Sequence, residues 1–217
     1  VFLVREQGGL VNRHGDRVAL LTREDLAECL TGHSGKITME GDTRTVVEQA
    51  ALLLCETKKV AIAGPNGISG ELLSWQGTGT LGVNLDHHEI PLLQPDEGPI
   101  FEAIYLERER QGFFRHRTPE EMELVRRYHR CLRVGNSILG GLSLIPEEDG
   151  WEELACFWSG YLKNGVGRML LLNAKLIAEF TRRRLYAITK EREAMEAFTK
   201  AGFKDAGDVL ALQAFPD

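Results

Sequence analysis

Trp151-Glu152-Glu153-Leu154-Ala155-Cys156-Phe157-Trp158, then Leu162-Lys163-Asn164-Gly165-Val166-Gly167-Arg168, then an apolar run from Met169 to Phe180, is the stretch that decides the fold. It reads as a strand over Glu152–Trp158, a glycine-punctuated loop and a helix over Gly167–Arg183. Gly165 and Gly167 clear side chains from a helix N-terminus, where backbone N–H groups and the positive end of the helix dipole favour an anion such as a pyrophosphate. A glycine pair before a helix is more often plain turn chemistry. Here it is followed by a strand at Leu185–Thr189, a helix at Glu191–Ala201 and the closing run Ala194-Met195-Glu196-Ala197-Phe198-Thr199-Lys200-Ala201-Gly202-Phe203, which together favour a nucleotide-like cofactor held by its phosphates.

Working upstream, Gly135-Asn136 is a hairpin turn dipeptide between strands at Leu132–Val134 and Ser137–Ile145. Thr118 is a helix N-cap, with Pro119 at the first helical position and Glu121 three residues on. A further helix is expected over Ile100–Gln111. The polar segment from Asn84 to Pro99, with His87-His88 and several prolines, reads as a linker. Residues 1–82 read as α/β: a strand at Arg17–Leu21, a helix Arg23–Leu30 capped by Thr22 with Asp25, a buried helix over Thr45–Glu56, a strand at Lys58–Ala63, a turn at Gly64–Gly67 and a short helix at Glu71–Trp75. At the C-terminus a strand pair breaks at Ala206-Gly207-Asp208.

Composition narrows the partners. The chain has 217 residues, a net charge of −6 and 27% charged residues, with no basic face of the kind that tracks a phosphate backbone, which argues against nucleic acid. Val46–Cys55 and Met169–Phe180 fall short of the ~20 apolar residues a bilayer requires. Cys29, Cys55, Cys131 and Cys156 show no metal-ligand spacing and sit among apolar neighbours, so four buried free thiols, no metal and a reducing cytoplasm are expected.

The strand, loop, helix and Ala-Gly-Phe ending resemble the GNAT N-acetyltransferase family. The resemblance implies an α/β (α+β) acyltransferase fold with a mixed central sheet over residues 100–217, and acetyl-CoA as co-substrate. The backbone of Cys156, Phe157 and Trp158 would polarise the acetyl carbonyl, and Leu162, Lys163, Asn164, Gly165, Val166, Gly167 and Arg168 would cradle the pyrophosphate. Leu162 stands where the family's loop has Arg or Gln. Glu153 would be the general base for the substrate ammonium, against the alternative of a solvent-facing strand-end carboxylate beside Glu152. Phe198 stands where many members have a tyrosine that protonates the leaving thiolate. Tyr186, Thr189 and water remain as donors.

Glu153-Leu154-Ala155-Cys156, Phe198 and Gln111-Gly112-Phe113-Phe114-Arg115-His116-Arg117-Thr118 are similar to the N-acetylglutamate synthase branch. That likeness implies L-glutamate as acyl acceptor in arginine biosynthesis, with Arg117 holding one of its carboxylates through a guanidinium fork. Gly8-Gly9-Leu10-Val11, Leu20-Leu21-Thr22 and Gly77-Thr78-Gly79-Thr80 resemble the C-terminal part of an amino-acid kinase domain. Residues 1–83 would be a partial kinase-like region, 84–99 the linker, and Glu71 and Gly77 part of an effector site for arginine. Such a domain is much longer than residues 1–83, and the chain starts at Val1, so a fragment of a longer, homo-oligomeric protein is expected. Acetylation of another small amine or amino acid, or a non-catalytic amino-acid-sensing or assembly module, stays open.

Overall fold

The computed structural model describes residues 1–69, 79–161, 164–189, 191–207 and 210–212. They form two compact units, Val1–Glu89 with Arg133–Ile138, and Ile90–Leu132 with Leu139–Asp217.

The first unit holds a sheet of β1 (Phe2–Val4), β2 (Leu20–Thr22), β3 (Lys59–Ala63) and β4 (Thr80–Val83) in the order β1-β3-β4-β2. β1 pairs parallel with β3, β3 antiparallel with β4, and β4 parallel with β2. The expected strand at Arg17–Leu21 lies further along, because Arg17 makes only an isolated bridge to Val11. Helix α1 (Arg23–Leu30) starts as its sequence requires: Thr22 Oγ1 accepts from the Asp25 N–H at 3.1 Å and Asp25 Oδ2 accepts from the Thr22 N–H at 2.9 Å, satisfying two donors that the helix itself leaves unpaired. Leu10, Leu21, Leu26, Val60 and Ile62 close the core beneath it.

Helix α2 (Thr43–Glu56) corrects an expectation. Its nearly continuous apolar sequence reads as a wholly buried helix, yet only the face of Thr43, Val47, Ala50 and Leu54 is buried. A helix against one sheet can bury one stripe, so Leu52 is left 70% exposed. Cys55 lies on the outer side too; three of the four thiols are buried and this one is exposed. At the helix start, the buried Arg5 guanidinium donates from Nε to Asp42 Oδ1 at 2.9 Å and from Nη2 to Thr43 Oγ1 at 3.0 Å. The first of these holds the Asp42 carboxyl below its ordinary value. The polar segment that reads as a linker contains short 3-10 turns and β5 (His88–Glu89), which pairs with Arg133 and Val134 of β6 (His129–Val134). Glu71 and Gly77, with the short helix expected over 71–75, lie outside the described residues.

The second unit begins with α3 (Gly98–Arg110) and α4 (Pro119–Arg127). The latter opens on the predicted box, Thr118 Oγ1 accepting from the Glu121 N–H and Glu121 from the Thr118 N–H. Then come β7 (Ser137–Pro146), β8 (Trp151–Ser159), α5 (Val166–Thr181), β9 (Arg184–Ala187), α6 (Arg192–Lys200), β10 (Lys204–Asp205) and β11 (Leu210–Leu212). The sheet order is β10-β11-β9-β8-β7-β6-β5. β7 pairs antiparallel with β8, whereas β8 and β9, joined by a full crossover through α5, run parallel. α5 buries Val166, Leu170, Leu171, Ala174 and Ala178 and leaves Leu172, Leu176 and Phe180 on its outer side. Among the described residues no helix is long and apolar enough to cross a membrane.

Candidate active site

β8 carries the site, and two irregularities set its geometry. The first is a bulge. Gly141 faces Trp158 but Ser143 faces Ala155, so β8 holds one residue more than β7 over this interval. Cys156 absorbs it with a φ of +47°. A side chain other than glycine is strained in that left-handed region, at about 1–3 kcal/mol, and such strain persists where the surroundings enforce it, often at functional sites. The second irregularity is a parting. The β8–β9 ladder runs Trp151↔Arg184, Glu152↔Leu185, Glu153↔Tyr186 and stops. Beyond Glu153 no strand among the described residues pairs with β8 on that side.

Gly165 sits at the start of α5 with φ +79°, a conformation open to glycine without penalty. No side chain caps this end and the first turn has no acidic residue, so the N–H groups of Val166, Gly167 and Arg168 have no acceptor within the helix. A Cβ on Gly167 would stand 3.2 Å from the Phe157 ring, so the glycine lets the helix start close against β8. Asn164 is half-buried, while Leu162 and Lys163 lie outside the described residues.

Glu153 is buried, which removes the solvent-facing alternative, and so is Glu152 on the opposite face of the strand. Their partners differ. Glu152 Oε1 lies 3.6 Å from Arg183 Nε and its Oε2 has no hydrogen-bond partner, and burial pushes its carboxyl up. Glu153 Oε1 accepts from Arg117 Nη2 at 2.6 Å, with side chains only 9% and 5% exposed. Two residues with separate sequence-derived roles are thus bonded to each other. Burial would lower the Arg117 guanidinium, but the bond and charge of Glu153 outweigh it and leave the group above its ordinary value. The Cys156 thiol lies beside the same guanidinium, and burial pushes it up to about 12. Tyr105 completes the wall: its hydroxyl donates to the Arg115 carbonyl at 2.6 Å and is also pushed up to about 12, chiefly by burial.

A cavity of about 380 Å³ opens at Arg117 between α3 and α4, walled by Tyr105, Leu106, Glu109, His116 and Met122 among others. Opposite Glu153 in register stands Tyr186, half-buried, its hydroxyl raised first by burial and then by the Glu153 charge. Thr189 Oγ1 is occupied by the Glu191 N–H at 3.2 Å. Phe198 is buried against Phe157 and Phe203, with centroids at 5.3 and 5.1 Å. Among the described residues no group of three or more His, Cys, Asp or Glu side chains is placed to hold a metal ion.

Sequence reasoning misses a buried polar set behind the bulge. Trp158 Nε1 donates to His129 Nε2 at 3.4 Å, His129 Nδ1 is 2.9 Å from Ser143 Oγ, and Ser143 Oγ donates to the Val125 carbonyl at 3.2 Å. Burial holds His129 down at about 3, so the ring is neutral. The signal was the Gly140-Gly141 doublet within a strand, which marks close approach. A Cβ on Gly141 would lie 2.4 Å from His129 Nε2 and 2.9 Å from Trp158 Nε1. The Trp158 side chain is therefore committed inward, and only its backbone could face a cofactor.

No family model and no curated protein sequence matches the chain. Among solved structures, 99% of the chain aligns with N-acetylglutamate synthase from Neisseria gonorrhoeae complexed with coenzyme A and N-acetyl-glutamate, at 18% identity and a TM-score of 0.55, covering 55% of that protein. The same enzyme complexed with coenzyme A and L-arginine aligns over 98% of the chain and 53% of its own, at the same identity and score. A GNAT family acetyltransferase from Brucella melitensis in complex with acetyl-CoA aligns over 60% of the chain and 90% of its own, at 14% identity and a TM-score of 0.46. The chain spans about half the length of the two synthase structures. At such identities the likeness is one of architecture: the mixed α/β chain has the fold of GNAT acetyltransferases.

Proposed function

We propose that the chain is an acetyl-CoA-dependent N-acetyltransferase whose acceptor is an amino acid bearing a carboxylate, L-glutamate first. The observation that carries this reading is the buried Arg117 guanidinium beside Glu153, where β8 parts from β9. Arg117 supplies a fork for a carboxylate and borders a cavity of amino-acid size. The strained backbone at Cys156 and the uncapped start of α5 support placing the acetyl-CoA thioester and pyrophosphate along β8 and at residues 162–168.

In this reading the acceptor ammonium gives one proton to Glu153, and its nitrogen bonds to the thioester carbonyl carbon. As the C–S bond breaks, a second nitrogen proton ends on the thiolate and the third remains in the amide. Tyr186, opposite Glu153 in register, is the donor proposed for the thiolate, with Thr189 and water as the alternatives. Residues 1–83 are read as the end of an amino-acid-kinase-like region, in which Glu71 and Gly77 would contribute to an arginine site.

The test is calorimetry with acetyl-CoA, then thiol release across a panel of amino acids with and without arginine. Saturable binding and turnover best with L-glutamate are expected. Binding without turnover on any amine would leave a sensing or assembly module instead.

A further inference from the structure

The Arg117–Glu153 bond poses a chemical problem that the proposed reaction has to solve. The Glu153 oxygen that meets Arg117 is already occupied by a guanidinium N–H at 2.6 Å, so an ammonium proton cannot reach that oxygen while the bond stands. Nor can the pair simply open. Both side chains are nearly dry, and separating them would leave an uncompensated buried charge on each side. The balance is kept only if another anion takes Arg117 as Glu153 leaves it. Cys156 cannot be that anion, since burial holds its thiol protonated. Glu152 belongs to the opposite face of β8 and to Arg183. Arg117 also lines the cavity between α3 and α4, the side from which an incoming carboxylate would approach.

Building on the acetyltransferase reading, we infer that the acceptor's own carboxylate displaces Glu153 from Arg117, and that this exchange frees Glu153 to take the ammonium proton. The site would thereby recognise a carboxylate through rate as well as through affinity: an amine without one could enter but would meet a base that is still tied down. The exchange conserves charge: one carboxylate replaces another on the guanidinium, and the released Glu153 oxygen takes one proton from R–NH₃⁺ to become the neutral acid.

The experiment compares L-glutamate with L-glutamic diamide at saturating acetyl-CoA. For the diamide kcat should fall roughly 100-fold, the lower end of what a general base contributes. A diamide that raised KM and kept kcat would show that the carboxylate only anchors, and would overturn the exchange. In Arg117→Gln the base is no longer held, so kcat for the diamide should exceed the wild-type value by roughly tenfold while kcat/KM for L-glutamate drops. A folded variant with no such gain counts against the proposal. A structure of the wild-type protein with glutarate, a dicarboxylate without an amine, decides the matter independently of turnover and of how well the variant folds. Glutarate should sit on Arg117 with Glu153 withdrawn beyond about 4 Å; an intact pair beneath bound glutarate, or glutarate absent from Arg117, would overturn it. Absence of thiol release from every amine would sink the enzymatic reading, and the glutarate structure would still rule on the exchange.

Discussion

Two buried polar sets flank β8 in the second unit, and they solve the same problem in opposite ways. Trp158, His129, Ser143 and the Val125 carbonyl form a neutral chain in which each group meets a partner, at 3.4, 2.9 and 3.2 Å in turn. Arg117 and Glu153 are charged and joined by a short bond, beside a strained Cys156 and at the point where β9 leaves. A neutral, satisfied network has little reason to change partners, so it specifies one packing of the strands. A dry ion pair adds little net stability but is costly to split, which suits a group meant to be exchanged rather than removed. One set lies behind the bulge, and the other at its mouth.

Four perturbations test this contrast. Glu153→Gln should lower kcat by about 10²- to 10⁴-fold with acetyl-CoA binding retained; calorimetry beside thiol release reads both, and an unchanged kcat would remove Glu153 as base. Arg117→Ala should destabilise the protein by about 3–5 kcal/mol in urea unfolding, because it strands the Glu153 charge in the interior.

The neutral set should respond to acid. The folded protein holds His129 at about 3, whereas an unfolded histidine titrates near 6.5, as expected for a free imidazole. Between these values the unfolded chain binds a proton that the folded one refuses. The stability this histidine contributes is complete above the upper value and is lost as pH falls towards the lower, by at most about 1.4 kcal/mol per unit. His129→Gln should flatten that slope between pH 7 and pH 5. Trp158→Phe should be the mildest change, about 1–3 kcal/mol for a histidine nitrogen left without its donor, with kcat for L-glutamate unchanged; a matching loss of kcat would show that the two sets are not separable.

Local chemistry was legible from the residues alone. Thr22 with Asp25, and Thr118-Pro119 with Glu121, announce their helix starts, and both capping boxes form. The β8, loop and α5 order follows from apolar patterning and two glycines. What could not be read is what depends on register and distance. Nothing in a cysteine within an apolar strand signals φ +47°, since the bulge arises from how β8 pairs with β7. Arg117 and Glu153 lie 36 positions apart, and each suited a plausible role by itself; only folding shows that each is the other's partner. Leu52 and Cys55 look like core residues in sequence, yet a single sheet face could bury just one side of α2. β1 gives little to read, being three residues whose pairing with β3 supplies their order.

The parting of β8 from β9 also has a kinetic side. A strand that loses its neighbour halfway along has one half locked in a ladder and the other without a strand partner on that side among the described residues. Amide hydrogens along β8 should therefore exchange with deuterium at graded rates, slow up to Glu153 and faster beyond it. A ligand that laid its own amides along the far half would erase the gradient. The strand would then act as its own gauge of occupancy, readable without any turnover.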